Sequence, residues 1–478
     1  MCAHSEQTSD PTFLSLKIQE DTPLKLKTSS LLIAATLFGA AVMPAQASEA
    51  MEDLLKVLRD QGTITAQNYE LLVNAARADK EQSDAVANKV DKVEETAEKA
   101  TKSNIKVTTK GKLKIEDAEG NWSFQPIGRV MWDAVSADSD ADDSSNWDGT
   151  ELRRARLGFQ GSIYDWGYKF EADFAKGDAS VKDAYIKYGT KFGDTKAGVK
   201  LGQAHIPFGL NTKVSSKYMT FMDRPFFADS KLSPARESGA IASLAAKDYS
   251  WTLATSVTVG TVSGGYSDED DDGTTFALRG SFVPYMQDKN HLLQIGAGYL
   301  NKSDGDEGFS FSQHLVAHKD QTKIKSGSIA AANYDGSDAF TLDAMGVYGS
   351  FHAMAEYLNY TADNTAGSDI EIDGYAVEAG YFLTGESLKW KKGYTSGITP
   401  KSSSGAWQVA TRFESLDIDD GNVAGDDEAK RWTVGINYYP TQNTRLMLNY
   451  DKVVSWEQNG SDTDDEPSAL KFRAQAYW

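Results

Sequence analysis

The residues with the clearest chemical use are charged side chains set into alternating segments. Arg129, Arg154, Arg156, Lys169, Lys187, Lys200, Arg279, Arg412, Arg445, Lys471 and Arg473 fall on the polar parity of such segments. Asp133, Glu171, Asp173, Asp183, Glu378, Glu414 and Asp451 share that parity, so cations outnumber carboxylates in a chain whose formal charge is -20. Rows of Arg and Lys lower the barrier for anions in a narrow, low-dielectric passage. The competing reading is that these cations pair with the carboxylates and only stiffen a wall. A second cluster lies in Gly209–Gly239, where Lys213, Lys217, Arg224, Lys231 and Arg236 face Asp223, Asp229 and Glu237. That stretch lacks strand alternation and carries Pro225 and Pro234, just behind Pro207. Loops this long inside a compact fold are usually functional. We expect it to fold inward as the constriction of a pore.

Other chemistries find little support. There is no HExxH, GxSxG, P-loop or cysteine cluster. Asp268-x-Asp270-x-Asp272-Gly273 begins like a calcium loop, but Arg279 stands where the bidentate Glu belongs, so a solvated turn is expected. His314 and His318 are four apart without a clear helical pattern, and no metal site is expected there. No cofactor is expected and an enzyme is disfavoured. Scattered Ser, His and Asp residues keep an outer-membrane hydrolase as a third reading. The acidic balance argues against nucleic-acid partners.

The elements that must position these charges are strands. Ala155, Leu157, Phe159, Gly161 and Ile163 fall on one face, with Arg154, Arg156, Gly158, Gln160 and Ser162 on the other. Trp432, Val434, Ile436 and Tyr438 likewise alternate with Thr433, Gly435 and Asn437. This is the two-residue repeat of a half-wet strand. About sixteen such segments recur from Ile105 onward, with Phe309–Asp338 the least regular. The chain ends on one: Leu470-Lys471-Phe472-Arg473-Ala474-Gln475-Ala476-Tyr477-Trp478. Leu470, Phe472 and Trp478 are read as the oily face of a closing, assembly-directing strand. So many oily faces exceed what one sandwich core can bury. Tyr and Trp cluster near segment ends, as in interfacial girdles. Short turns at Asp165 and Asp248-Tyr249-Ser250 contrast with acidic loops at Ser136–Thr150, Ser267–Gly273, Asp417–Glu428 and Gly460–Glu466. A sheet that spans lipid must close, because lipid offers an open edge no partner.

The first hundred residues differ. Lys25 and Lys27, the apolar run Leu31–Val42 and Ala45-Gln46-Ala47 read as an export signal over residues 1–47. The sole cysteine, Cys2, falls inside it. Residues 1–24 exceed a usual basic n-region, which points to a start codon downstream of Met1. Residues 48–104 hold no Trp, no Pro and one Gly, and read as helices at Met51–Leu58 and Thr65–Ala78. Val86, Val90, Val93, Ala97 and Ala100 then trace an a/d seam. It reads as a coiled coil joining subunits, with a plain solvated helix as the other reading.

Several stretches in order resemble the phosphate-selective porin O/P family. They are Gly128-Arg129-Val130-Met131-Trp132-Asp133, Glu151-Leu152-Arg153-Arg154-Ala155-Arg156-Leu157-Gly158 and Lys182-Asp183-Ala184-Tyr185-Ile186. Further along come Gly202-Gln203-Ala204-His205-Ile206-Pro207-Phe208-Gly209, Tyr381–Ser387, Gly405–Phe413 and Leu446–Tyr450. The resemblance covers roughly residues 105–478. It implies a trimeric sixteen-stranded porin in a Gram-negative outer membrane, passing solutes by diffusion. In some members a ladder of arginines and lysines prefers phosphate. Lys213, Lys217, Arg224, Lys231 and Arg236 are the matching candidates here, although three carboxylates share their segment.

The expected architecture is all-β: a transmembrane antiparallel barrel over 105–478, preceded by a periplasmic helical segment over 48–104. The expected function is passive diffusion of small hydrophilic solutes with a mild anion preference. Lumen-facing candidates are Arg129, Arg154, Arg156, Lys169, Arg279, Arg412, Arg445 and Arg473. Expected partners are outer-membrane lipid, two further copies of the chain, and small anions. An alternative is an envelope tether, in which the helical arm contacts the cell wall and the barrel is its anchor.

Overall fold

Polar side chains are buried and large apolar ones exposed along the strands, the inverse of a water-soluble sheet. Trp432, Val434 and Ile436 are 46%, 49% and 45% exposed, while Thr433 and Asn437 between and beyond them are 1% and 0% exposed. Arg445 and Arg473 are among the largest fully buried side chains. Such a sheet needs lipid outside and a polar interior. The structure is a computed structural model that describes residues 46–101, 105–109, 111–139, 146–262, 273–320, 322–421 and 425–478. The export signal up to Ala45, the aspartates of the calcium-like turn (Asp268, Asp270 and Asp272) and Cys2 lie outside the described residues.

Sixteen strands make the closed antiparallel barrel. They are β1 (Trp122–Asp138), β2 (Trp147–Ile163), β3 (Trp166–Asp173), β4 (Ser180–Phe192), β5 (Thr195–His205) and β6 (Arg236–Ala246). Next come β7 (Trp251–Val259), β8 (Thr274–Asp288), β9 (His291–Lys302), β10 (Tyr334–Tyr348) and β11 (Phe351–Asn364). The last five are β12 (Ile370–Phe382), β13 (Ala406–Asp419), β14 (Asp427–Thr441), β15 (Thr444–Gln458) and β16 (Ser468–Tyr477). A small hairpin, Ile105–Thr108 with Lys114–Asp117, leads into β1. Pro284 lacks the N–H a ladder needs, and the β8 register shifts between Phe282 and Tyr285.

The barrel closes where β16 pairs with β1, from Ser468↔Asp138 to Tyr477↔Arg129. Beyond the strand, Trp478 N–H donates to Gly128 O at 3.1 Å and Gly128 N–H donates to Trp478 O at 3.3 Å. A Cβ on Gly128 would overlap the Trp478 ring. Leu470 faces outward, and Phe472 meets Trp132 edge-on at 6.3 Å.

Antiparallel order puts alternate connections at opposite ends. One end has tight turns, two of them with Gly193 and Gly349 at φ +60° and +59°, where glycine avoids a Cβ clash. The other has the long loops. The tight-turn end has one exception, residues 383–405 between β12 and β13.

The N-terminal unit is a helix pair, α1 (Gln46–Asp60) and α2 (Ala66–Thr101). Thr65 Oγ1 caps α2 by accepting Asn68 N–H at 3.2 Å. Leu55 and Val73 are buried, and Arg77 reaches Glu52 at 3.2 Å. Met51, Leu54, Val57, Leu71 and Leu72 are exposed. One helix, α2, runs through both residues 66–78 and the stretch of the expected seam. The side chains of Val86, Val90, Val93, Ala97 and Ala100 lie outside the described residues.

Candidate functional site

Among the described residues, three connections turn into the lumen. The first is the connection of residues 206–235, between β5 and β6. Pro207 stops the β5 ladder, and Gly209 at φ 64° turns the chain inward. Ile206, Phe208, Leu210, Phe221, Met222, Phe226, Phe227 and Leu232 are almost fully buried. A buried loop backbone must be hydrogen-bonded, since each unsatisfied group costs about 1–3 kcal/mol. The wall from β11 to β16 supplies the partners. Its carboxylates accept loop N–H groups: Glu356 takes Leu210 and Asn211 at 2.6 and 2.7 Å, and Glu414 takes Phe226 at 2.8 Å. Glu378 accepts the Thr220 hydroxyl at 2.9 Å. Its arginines donate to loop carbonyls: Arg445 to Met219 at 2.6 Å, Arg473 to Met222 at 2.6 Å and Arg412 to Asp223 at 2.9 Å.

The second inward connection runs over 303–333, between β9 and β10. Its hairpin, Phe309–His314 with Lys323–Ile329, buries Leu315, Val316 and Ala317. Leu315 O accepts from Arg431, and Val316 O accepts from Lys471 Nζ at 2.9 Å. The third is 383–405, entering from the tight-turn end. Trp390 Nε1 donates to Gln294 Oε1 at 2.9 Å, and Gln294 Nε2 donates to Gly393 O at 3.1 Å. Leu388 and Ile398 pack in one apolar cluster with Leu210, Val214 and Met219 of the first loop.

These insertions fill one side of the lumen. Space remains against β2 to β6. A cavity of about 860 Å³ opens there, lined by Arg153, Arg154, Arg156, Lys182, Lys231 and Arg236 among others. Across β1 to β6, four cations share three carboxylates. Glu171 meets Arg129 at 3.0 Å, Arg156 at 3.2 Å and Lys169 at 3.2 Å. Asp183 meets Lys169 at 2.6 Å and Arg236 at 3.2 Å, and Asp173 meets Arg156 at 2.8 Å. Arg154, Lys182, Lys187 and Lys200 have no carboxylate partner among the described residues. Lys187 and Lys200 sit directly opposite each other across β4 and β5. Like charges so placed destabilise a sheet.

The expected constriction residues therefore divide. Arg224 holds the first loop's own shape, donating to Asn211 O at 3.0 Å and Val214 O at 2.7 Å and pairing with Asp229 at 2.8 Å. Lys213 donates to His205 O at 3.1 Å. Lys217 lies 4.9 Å from the Tyr477 ring, and burial beside Arg129 pulls its ammonium down to about 8. Lys231 is exposed on the cavity. Arg236 belongs to β6 rather than to the loop, because the strand begins there.

Of the expected lumen residues, Arg154, Arg156 and Lys169 lie on the open side, while Arg129 on β1 donates to Ser216 Oγ of the first loop at 2.9 Å. Arg279 pairs with Asp343 at 2.9 Å, and Arg473 grips Asp133 with two bonds of 2.6 Å. With Arg412 and Arg445, these are buried supports. Arg431 and the 383–405 connection were not foreseen. Extending the alternation one residue back from Trp432 reaches Arg431, whereas 383–405 has no alternation to extend.

The fold and lumen define a channel-forming outer-membrane β-barrel. The family model described as "Phosphate-selective porin O and P" matches residues 124–478, and the chain belongs to that family. Porin O of Pseudomonas aeruginosa is 26% identical over 409 residues, 78% of this chain and 92% of the relative. An uncharacterized protein of Caulobacter vibrioides is 25% identical over 382 residues, 76% of this chain and 75% of its own. Among solved structures, the anion-selective porin from Comamonas acidovorans aligns with a TM-score of 0.50 at 12% identity, covering 75% of this chain and all of that one.

Proposed function

We propose that this outer-membrane channel passes small hydrophilic solutes by diffusion and prefers anions, phosphate among them. The observation that carries the reading is the set of cations without carboxylate partners among the described residues, Arg154, Lys182, Lys187 and Lys200, on β2, β4 and β5. A passage between that wall and the inserted loops presents net positive charge to a solute while the chain as a whole is acidic. Lys217 and Lys231 add charge from the loop side. The family's description as phosphate-selective points the same way. Reversal potential of the reconstituted protein in a potassium chloride gradient tests this. A potential of the sign set by chloride is expected, and cation selectivity would overturn it.

We infer further that three copies assemble and that the helix pair lies in the periplasm. The exposed Met51, Leu54, Val57, Leu71 and Leu72 support a protein partner for those helices. Deleting Ser48–Ser103 separates assembly from tethering. Loss of trimers supports assembly. Intact trimers with lost envelope attachment would favour the tether.

A further inference from the structure

A recess of about 100 Å³ opens off the main cavity; Arg153, Arg154, Gln313, His314 and His318 line both, together with Asp229, whose charge Arg224 holds at 2.8 Å. We propose that Arg153, Arg154, Gln313, His314 and His318 form an oxyanion site at the long-loop mouth, with affinity governed by protonation of the two imidazoles. The inference rests on the anion-pore reading above.

The first observation is an unsatisfied guanidinium. Arg154 is 6% exposed, yet among the described residues its one hydrogen-bond contact is Met131 Sδ at 3.8 Å, and its Nε has no partner there. Arg153 Nε is also unpartnered, with Glu151 at 3.9 Å. Elsewhere in the lumen, buried guanidiniums meet carboxylate or carbonyl oxygens, as Arg473 and Arg445 do. A buried charge without such a partner is costly. An anion in the recess completes it.

The second observation is the state of the imidazoles. His314 Nδ1 lies 2.9 Å from Asp320 O, a carbonyl that can only accept. His318 Nδ1 lies 3.1 Å from Glu151 Oε2, a carboxylate that accepts. Both rings therefore carry hydrogen on Nδ1, and neither Nε2 has a partner among the described residues. A neutral ring offers a lone pair at Nε2, which repels an oxyanion. A protonated ring offers a charged N–H donor there. Histidine is the side chain that makes this change between pH 5 and 8. The ring centroids are 6.2 Å apart.

Charge surrounds the pair from every packed element. Lys319 and Asp320 lie on its own connection, Glu151, Arg153 and Arg154 on β2, and Asp223, Arg224 and Asp229 on the first inward loop. Arg431 on β14 and Lys471 on β16 bind the carbonyls of Leu315 and Val316 beside it. An oxyanion in the recess is attracted more strongly to two imidazolium rings than to two neutral ones, so binding and proton uptake favour each other.

The test is block of chloride current by sulfate, which stays doubly charged from pH 5 to pH 8. Wild-type protein should bind sulfate about tenfold more tightly at pH 5 than at pH 8. His314→Gln with His318→Gln should flatten that profile, circular dichroism confirming a folded barrel. Arg154→Gln should weaken block at both pH values. A pH-independent block in wild type, or an unchanged profile in the double variant, overturns the site. Chloride over potassium selectivity at pH 8 is read in parallel. If that selectivity is lost, the pore reading fails; if it persists with a flat sulfate profile, only the site fails.

Discussion

The two sides of the lumen use the same residue types for opposite ends. On β11 to β16, Arg412, Arg445 and Arg473 are buried and bonded, and their partners include the backbone of an inserted loop. On β2 to β6, Arg154 and Lys182 line the cavity and Lys187 and Lys200 share the inward parity, none with a carboxylate partner among the described residues. The first side spends its charge on construction. The second keeps it available to a solute. An inward-facing arginine therefore says nothing about permeation until its partner is known. What separates the two sides is where the connections 206–235, 303–333 and 383–405 come to rest.

The contrast can be broken most forcefully on the packed side. Arg473→Met strands Asp133 and the Met222 carbonyl, and breaking a buried pair this way costs about 3–5 kcal/mol. Thermal unfolding of the detergent-solubilised barrel should begin at clearly lower temperature, with noisier single-channel current from a loosened loop. On the open side, replacing Arg154, Lys182, Lys187 and Lys200 together by Gln should lower the anion-to-cation permeability ratio severalfold. Its unfolding temperature should stay close to wild type, because nothing anchored depends on those four. If selectivity survives the quadruple change, the open wall is not what sets it.

A change at the seam sharpens the comparison by sparing both sides. Gly128→Val drives a side chain into the Trp478 ring and should destabilise closure by about 1–3 kcal/mol. Yield of folded barrel should fall while the selectivity of surviving channels holds. The smallest effect is expected from pH at Lys217. Burial puts its titration at about 8, below the ordinary lysine value, so it is mostly charged at pH 7 and mostly neutral at pH 9. Anion preference should fall modestly across that interval as pH rises. Lys217→Gln should remove that step.

Much of the fold was legible in the residues. The alternation around Trp432 assigns lipid and lumen faces, and the structure keeps it. The length and prolines of Gly209–Gly239 marked an inward loop, although its end came late. Glu237, Ser238 and Gly239 are ladder residues of β6, and so is Arg236. The connection 303–333 was only visible as irregularity, since its hairpin is short and shifted in register. The 383–405 insertion was invisible. Its position depends on Trp390 finding Gln294 on β9, 96 residues away.

The candidate site was legible as a set of charges and no further. Parity put Arg129, Arg154, Arg156, Lys169, Arg279, Arg412, Arg445 and Arg473 on the polar face, because a two-residue repeat is a local property of the backbone. Whether a given cation is paired is not local. Arg154 and Arg156 are two residues apart on one strand, yet Arg156 holds Asp173 and Glu171 while Arg154 holds only a methionine sulfur. By itself the sequence determined the strands, their oily and wet faces and the excess of inward cations. Only the tertiary structure decided which of those cations meet a carboxylate, since a partner many strands distant enters reach only when the sheet closes and the loops fold in.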